Sequence, residues 1–246
     1  MTAPASHTDS PYRLPRSVVP HRYTLALQPD LAAATFVGHV IIDANVNEPV
    51  TEIVLNADEL EISEVKVAGQ VVPFELHAAT ERLVIQATHD AGTTAIEITF
   101  TGTLNDKLRG WYRSTYKDEA GNEQVIATSQ MQATDCRRAF PCFDEPDFKA
   151  VFDITLIVEP HLLAVSNGHE VEREEFHDGS GNPTGKVAVR FAETMPMSTY
   201  LVAFVVGPLE ATEAVLVPRE GEPDRPIPLR IIHVPGKGHL TAFSLD

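Results

Sequence analysis

The residues with chemical reach are concentrated between Ser129 and Lys149, which read Ser-Gln-Met-Gln-Ala-Thr-Asp-Cys-Arg-Arg-Ala-Phe-Pro-Cys-Phe-Asp-Glu-Pro-Asp-Phe-Lys. Two carboxamides, two thiols, an arginine pair and an Asp-Glu pair share a stretch that has neither the strand nor the helix period in its apolar residues. An irregular polar segment of this length inside a strand-rich chain points to function, and Phe140, Phe143 and Phe148 argue against disorder. Gln130 and Gln132 are two apart, so on an extended strand both carboxamides project from one face. Asp144 and Glu145 are adjacent and point apart, whereas two-carboxylate hydrolysis needs both groups facing one bond. With Arg137 and Arg138 as partners and Pro141 and Pro146 stiffening the chain, these acids read as an ion-paired scaffold that positions the glutamines. Cys136 and Cys142 read as two free thiols rather than a bridge closing the short loop between them, because the chain has no export signal, and two sulfurs cannot complete a four-ligand structural zinc site.

Other reaction chemistries find no support. The helical zinc motif H-E-x-x-H places two imidazoles one turn apart with a general-base Glu between them. His169-Glu170 opens correctly but continues Val171-Glu172-Arg173, and His233 and His239 are separated by Pro235, Gly236 and Gly238. His21, His39 and His161 stand singly, and Ser114-Thr115 and Ser198-Thr199 lack a His/Asp constellation that would make a nucleophile. Gly179 to Gly185 lacks the Lys and the strand-to-helix context of a phosphate loop. No catalytic residue and no metal ligand is therefore assigned in this chain.

The elements that must position the central segment are strands. Tyr23–Leu27, Thr35–Val46, Thr51–Leu55, Leu60–Val67, Val71–Leu76, Glu81–Ala87 and Ala95–Thr101 are β-rich runs bounded by turn residues. Trp111–Tyr116 and Glu123–Ser129 flank a polar linker ending in Gly121-Asn122 and form a hairpin that delivers the chain into the central segment. Beyond it, Phe148 to Val158 alternates strictly, followed by runs at Leu162–Val165, His169–Phe176, Lys186–Phe191 and Thr199–Val206. Pro218 to Pro228, with four prolines, reads as a loop before Leu229–Val234, and His239 onward reads as the start of a helix with Leu240 and Phe243 on one side. The expected fold is all-β, a large twisted β-sandwich or saddle of antiparallel sheets, over residues 13–234. Residues 1–12 read as a disordered tail and 235–246 as the start of a link.

Composition sets the surroundings. In 246 residues, 43% hydrophobic and 22% charged residues are ordinary for a soluble globular protein. A net charge of −16 argues against a nucleic-acid or anionic-membrane surface, which needs clustered cations. The longest apolar run, Tyr200 to Val206, is too short to span a bilayer. Met1 to Ser10 has no basic and apolar regions of a secretory signal, so a cytoplasmic location is expected.

The wording of the central segment resembles a family. Gln130-Met-Gln132, Arg137-Arg138-Ala-Phe-Pro-Cys142-Phe-Asp144-Glu145-Pro146 and Phe148-Lys-Ala-Val-Phe152 are similar to the N-terminal domain of the aminopeptidase N-type (gluzincin) zinc aminopeptidases. Leu14 to Leu25, Gly110 to Tyr116 and Met195 to Phe204 extend the resemblance from about residue 12 to the end of the chain. It implies a domain truncated before the zinc-binding catalytic domain, since H-E-x-x-H and the family's G-x-M-E-N are both absent here. By the same resemblance, Gln130 helps form the pocket for the first side chain of the substrate and Gln132 contacts the free amine. The partners implied are a peptide N-terminus and the catalytic domain of the same polypeptide. Zinc is implied for that parent enzyme, none for this chain, and the chain alone is expected to be inactive. The competing expectations are a non-catalytic interaction module from a zinc-less relative and a generic β-sandwich binding domain.

Overall fold

The computed structural model describes residues 13–244, with backbone alone at positions 222 and 223; the tail expected over 1–12 lies outside the described residues. Every regular element is a strand or a short 3₁₀ turn. The main sheet has eight strands, in the order Glu170–His177, Pro183–Phe191, Val151–Val158, Val18–Asp30, Thr35–Val46, Gly92–Thr103, Leu60–Val67 and Gln70–Val71. A four-stranded sheet follows the order Leu163–Ser166, Phe204–Gly207, Glu123–Gln130 and Gly110–Lys117, and a three-stranded one joins Ile53–Asn56, Arg82–Ile85 and Phe74–His77. Among the described residues the strand pairings are antiparallel except that Val18–Asp30 runs parallel to Val151–Val158, with an isolated parallel bridge between Asn105 and Tyr112, so the all-β expectation holds with some parallel pairing inside it.

Alternation explains most of the strands. In Thr35–Val46, Phe36, Val40, Ile42, Ala44 and Val46 are buried, and in Gly92–Thr103, Ile96, Ile98 and Phe100 are, as a period of two requires when one face meets the core. The sheets are joined by rings. Trp111, from the four-stranded sheet, packs against Phe36 of the main sheet at 5.1 Å and against Phe204 at 5.6 Å. Phe140, from the central segment, contacts Tyr23 and Phe152 on one side and Phe204 on the other. The segment is thus wedged between the two sheets.

Several expected elements differ. The strand expected over Val71–Leu76 divides, Gln70–Val71 joining the main sheet and Phe74–His77 the three-stranded one. The strand expected from Phe148 begins at Val151, because Phe148 turns inward against Phe143 and lies under the Arg16 guanidinium, 4.1 Å from its ring. Thr199–Val206 divides into a 3₁₀ turn, Thr199–Leu201, and a strand, Phe204–Gly207; Ser198 and Thr199 are buried and hydrogen-bonded to the central segment, which overrides the local strand preference. The proline-rich stretch is a hairpin of Val215–Arg219 with Glu222–Leu229, tolerated because both strands of a two-stranded ribbon are edges. Past Lys237 the chain makes two 3₁₀ turns, Gly238–Leu240 and Ala242–Ser244. No helix among the described residues is long and apolar enough to cross a membrane.

Candidate functional site

Gln130 is the last residue of its strand and pairs with Gly110 across the hairpin. Gln130 and Gln132 are both exposed, while Met131 between them is sunk into the core at 2% exposure. Only Gln130 is on the strand; Gln132 falls in the turn that follows, so the extended-strand spacing expected for the pair does not continue through it. The Gln130 carboxamide donates from Nε2 to the Gln132 carbonyl at 3.4 Å, and the Gln132–Ala133 peptide is cis. A cleft of about 450 Å³ opens nearby, lined by Arg13, Asn56, Glu81, Thr134, Arg137 and Asp144 among others, but neither glutamine lines it.

Immediately after the glutamines, the chain turns back on itself. The Asp135 amide donates to the Met131 carbonyl at 2.9 Å, and a 3₁₀ turn covers Cys136–Arg138. The turn lies close to the neighbouring strand. Gly110 has φ +66°, and a Cβ there would sit 2.8 Å from the Cβ of Arg138. Only glycine meets both demands.

The two arginines leave the turn in different directions. Arg137 donates from Nε to Asp144 Oδ2 at 2.9 Å and from Nη1 to Glu81 Oε2 at 2.8 Å. The other Asp144 oxygen accepts from the Thr199 hydroxyl at 2.7 Å. Arg138, with only 9% of its side chain exposed, meets Asp58, Glu59, Glu81 and Asp135 at 2.5–3.2 Å. Burial works against charge on both guanidinium groups, but the surrounding carboxylates outweigh it and hold both above their ordinary value. Glu59 and Glu81 sit at left-handed φ of 54° and 53°, a conformation that costs an L-residue about 1–2 kcal/mol. Their carboxylates both reach Arg138 from there.

Glu145 points the other way, as expected for neighbours. It accepts from the Leu14 amide and pairs with Arg16 at 2.8 Å and Arg13 at 3.2 Å. Asn56 exchanges two backbone hydrogen bonds with Cys142, and the Phe143 amide donates to the Tyr23 hydroxyl at 3.1 Å. Asp144 and Glu145 are both ion-paired, as the sequence implied. The partners of this segment were not legible, neither Glu81, Asp58 and Glu59 on the two arginines, nor Thr199 on Asp144, nor Arg13 and Arg16 on Glu145, because nothing local to each residue marks it as lying opposite this segment.

One group of potential metal ligands occurs among the described residues: the sulfurs of Cys136 and Cys142 and an oxygen of Asp144 lie within 4.8 Å of one another, all buried. Both cysteines are free, and burial pushes both thiols up. This donor set does not fit zinc. Asp144 is committed through both oxygens to Arg137 and Thr199, which leaves two sulfurs where a structural zinc takes four ligands.

The family model for the Peptidase M1 N-terminal domain matches residues 19–201. The chain belongs to that family. The matched range takes in the arginine turn, Asp144, Glu145 and Thr199. Among the relatives of this M1 N-terminal domain, Aminopeptidase 2 of Candida albicans is 38% identical over 237 residues. The puromycin-sensitive aminopeptidase of Caenorhabditis elegans is 36% identical over 244, and Aminopeptidase M1-A of Oryza sativa is 41% identical over 214. These alignments cover 95%, 95% and 82% of this chain but only 24%, 24% and 23% of the relatives. The chain spans about a quarter of the length of the curated relatives it matches.

Proposed function

We propose that this chain is the amino-terminal part of a longer zinc aminopeptidase, with Gln130 and Gln132 completing the substrate site by holding the free amino end of a peptide. A peptide ammonium has three donors and needs oxygen acceptors where water is excluded. The observation that carries the reading is the adjacent, outward placement of the two glutamines at a strand end whose continuation is anchored by Met131 and the Arg138 turn. Gln130 would border the first side chain of the substrate and Gln132 the amine itself. As carboxamides they make a neutral clamp, weaker than one containing a carboxylate.

The cutting is assigned to the rest of the polypeptide, which would supply the zinc and the general base; the chain alone is inactive in this reading. We draw the domain over 13–234, the link from 235, and place the parent enzyme in the cytoplasm. The apolar surface of the last hairpin supports a further covering part. Val215, Val217, Ile227 and Leu229, paired across its two strands, are all exposed there, although a two-stranded ribbon alone is marginal in water and an exposed apolar patch marks an interaction site.

In the complete polypeptide, Gln132→Glu should lower KM for substrates with a free amine and leave amino-acetylated peptides unaffected. Unchanged kcat and KM would refute the role. A continuing reading frame without H-E-x-x-H would favour the interaction-module reading instead, and stoichiometric zinc on this chain alone would contradict the division of labour.

A further inference from the structure

We propose that Cys136 and Cys142 form an oxidative cross-link site, a dithiol that a small peroxide converts to a disulfide across the base of the Arg137–Arg138 turn. The two sulfurs belong to the cluster within 4.8 Å described above. The backbone holds both residues in place. The Cys136 carbonyl accepts from Ala139 and Phe140 at 2.8 and 3.1 Å, and Cys142 is tied through both amide and carbonyl to Asn56 at 3.0 and 2.8 Å. Since the Asp144 oxygens are occupied, the pair has no metal-binding alternative with enough donors.

Burial decides which oxidant fits. Both cysteines are fully buried, which bars glutathione disulfide and bulky thiol reagents. Thr134, Arg137 and Asp144, neighbours of the two cysteines in the chain, line the cleft described above, and hydrogen peroxide, close to water in size, is the oxidant that can pass from there to a buried sulfur. Desolvation keeps both thiols protonated, Asp144 reinforces this and Arg137 opposes it, so the reaction is slow rather than absent.

The chemistry balances. Cys142, as thiolate, attacks one peroxide oxygen; the S–O bond forms, the O–O bond breaks, and hydroxide leaves to take up the released proton as water. The Cys136 sulfur then attacks the sulfenic sulfur, the S–S bond forms, and the S–O oxygen departs as a second water with the Cys136 proton. Two thiols and one peroxide give one disulfide and two waters. The closed link encircles Arg137 and Arg138 and pins the turn that follows Gln132.

The test uses the folded chain with hydrogen peroxide, then alkylation in denaturant and trypsin, which cuts after Arg137 and Arg138 and so separates the two cysteines. The expected product is a monomer lighter by two hydrogens, both thiols lost together, with the two cysteine peptides joined until reduced. The oxidised chain should also melt higher than the reduced one. Met195, strongly exposed, reports the dose as its sulfoxide. The proposal is overturned if both cysteines still alkylate after Met195 is fully oxidised, if one is over-oxidised without a link, or if the link forms in urea but not in the folded chain. Cys136→Ala should abolish the joined peptides and the rise in melting temperature; persistence of that rise would likewise overturn it.

Discussion

Replacing Arg138 with Ala tests whether the central segment is held by its ion pairs. Arg138 faces four carboxylates, and their environments set the cost. Glu81 keeps Arg137, and Glu59 keeps Arg109 and Lys107 at 3.7 and 3.9 Å. Asp58 and Asp135 lose the one cation paired with each among the described residues. Both aspartates are largely buried, so each stranded carboxylate costs about 1–2 kcal/mol, whereas the more solvated Glu59 and Glu81 add little. The sum, about 3 kcal/mol, is at the lower end for breaking a buried pair. For a chain of this size that corresponds to a drop of roughly 6–12 °C in Tm. Trp111 is the single tryptophan and is fully buried, so its fluorescence follows urea or thermal unfolding. Arg173 supplies the control. It binds Glu170 bidentately, but with 33% of its side chain exposed, and Arg173→Ala should cost under about 1 kcal/mol. If Arg138→Ala costs no more than Arg173→Ala, the structural role assigned to the turn is wrong.

Other consequences are equally direct. Gly110→Ala combines a left-handed φ with a 2.8 Å approach to Arg138 and should destabilise by about 1–3 kcal/mol; an unchanged urea midpoint would show that the turn does not press on the strand. The loops Asp118–Asn122 and Asp178–Asn182 are alike, each aspartate accepting from the asparagine amide four residues on. Those backbone hydrogen bonds, first of several, hold both carboxyls below the usual range. A depressed folded pKa stabilises above the unfolded value of about 3.9 and is lost as pH falls through the folded value. Acid titration of Asp178→Asn should therefore show a shallower loss of stability below about pH 4 than the unsubstituted chain; identical curves would contradict the assignment.

Much of the architecture was legible because it is local. The strand Thr35–Val46 stands where its alternation put it, and the hairpin Gly110–Lys117 with Glu123–Gln130 differs from expectation by a residue or two. The errors share a cause. Asp153 is buried in the middle of Val151–Val158, where Arg22 and Arg190 reach it, so that strand does not alternate as its apolar residues suggested. The 3₁₀ turn at Thr199 follows from a carboxylate more than fifty positions earlier in the chain.

The sequence by itself determined the strand content, the ion pairing of Asp144 and Glu145, and the absence of the H-E-x-x-H motif. These depend on residue type and spacing along a few neighbouring positions. Tertiary structure alone decided that Glu81, Asp58 and Glu59 close around Arg138, that Thr199 caps Asp144, and that Cys136 and Cys142 meet in the core. Coulomb and hydrogen-bond partners act over a few ångströms of space, and the folded sheets bring together residues that the chain keeps far apart.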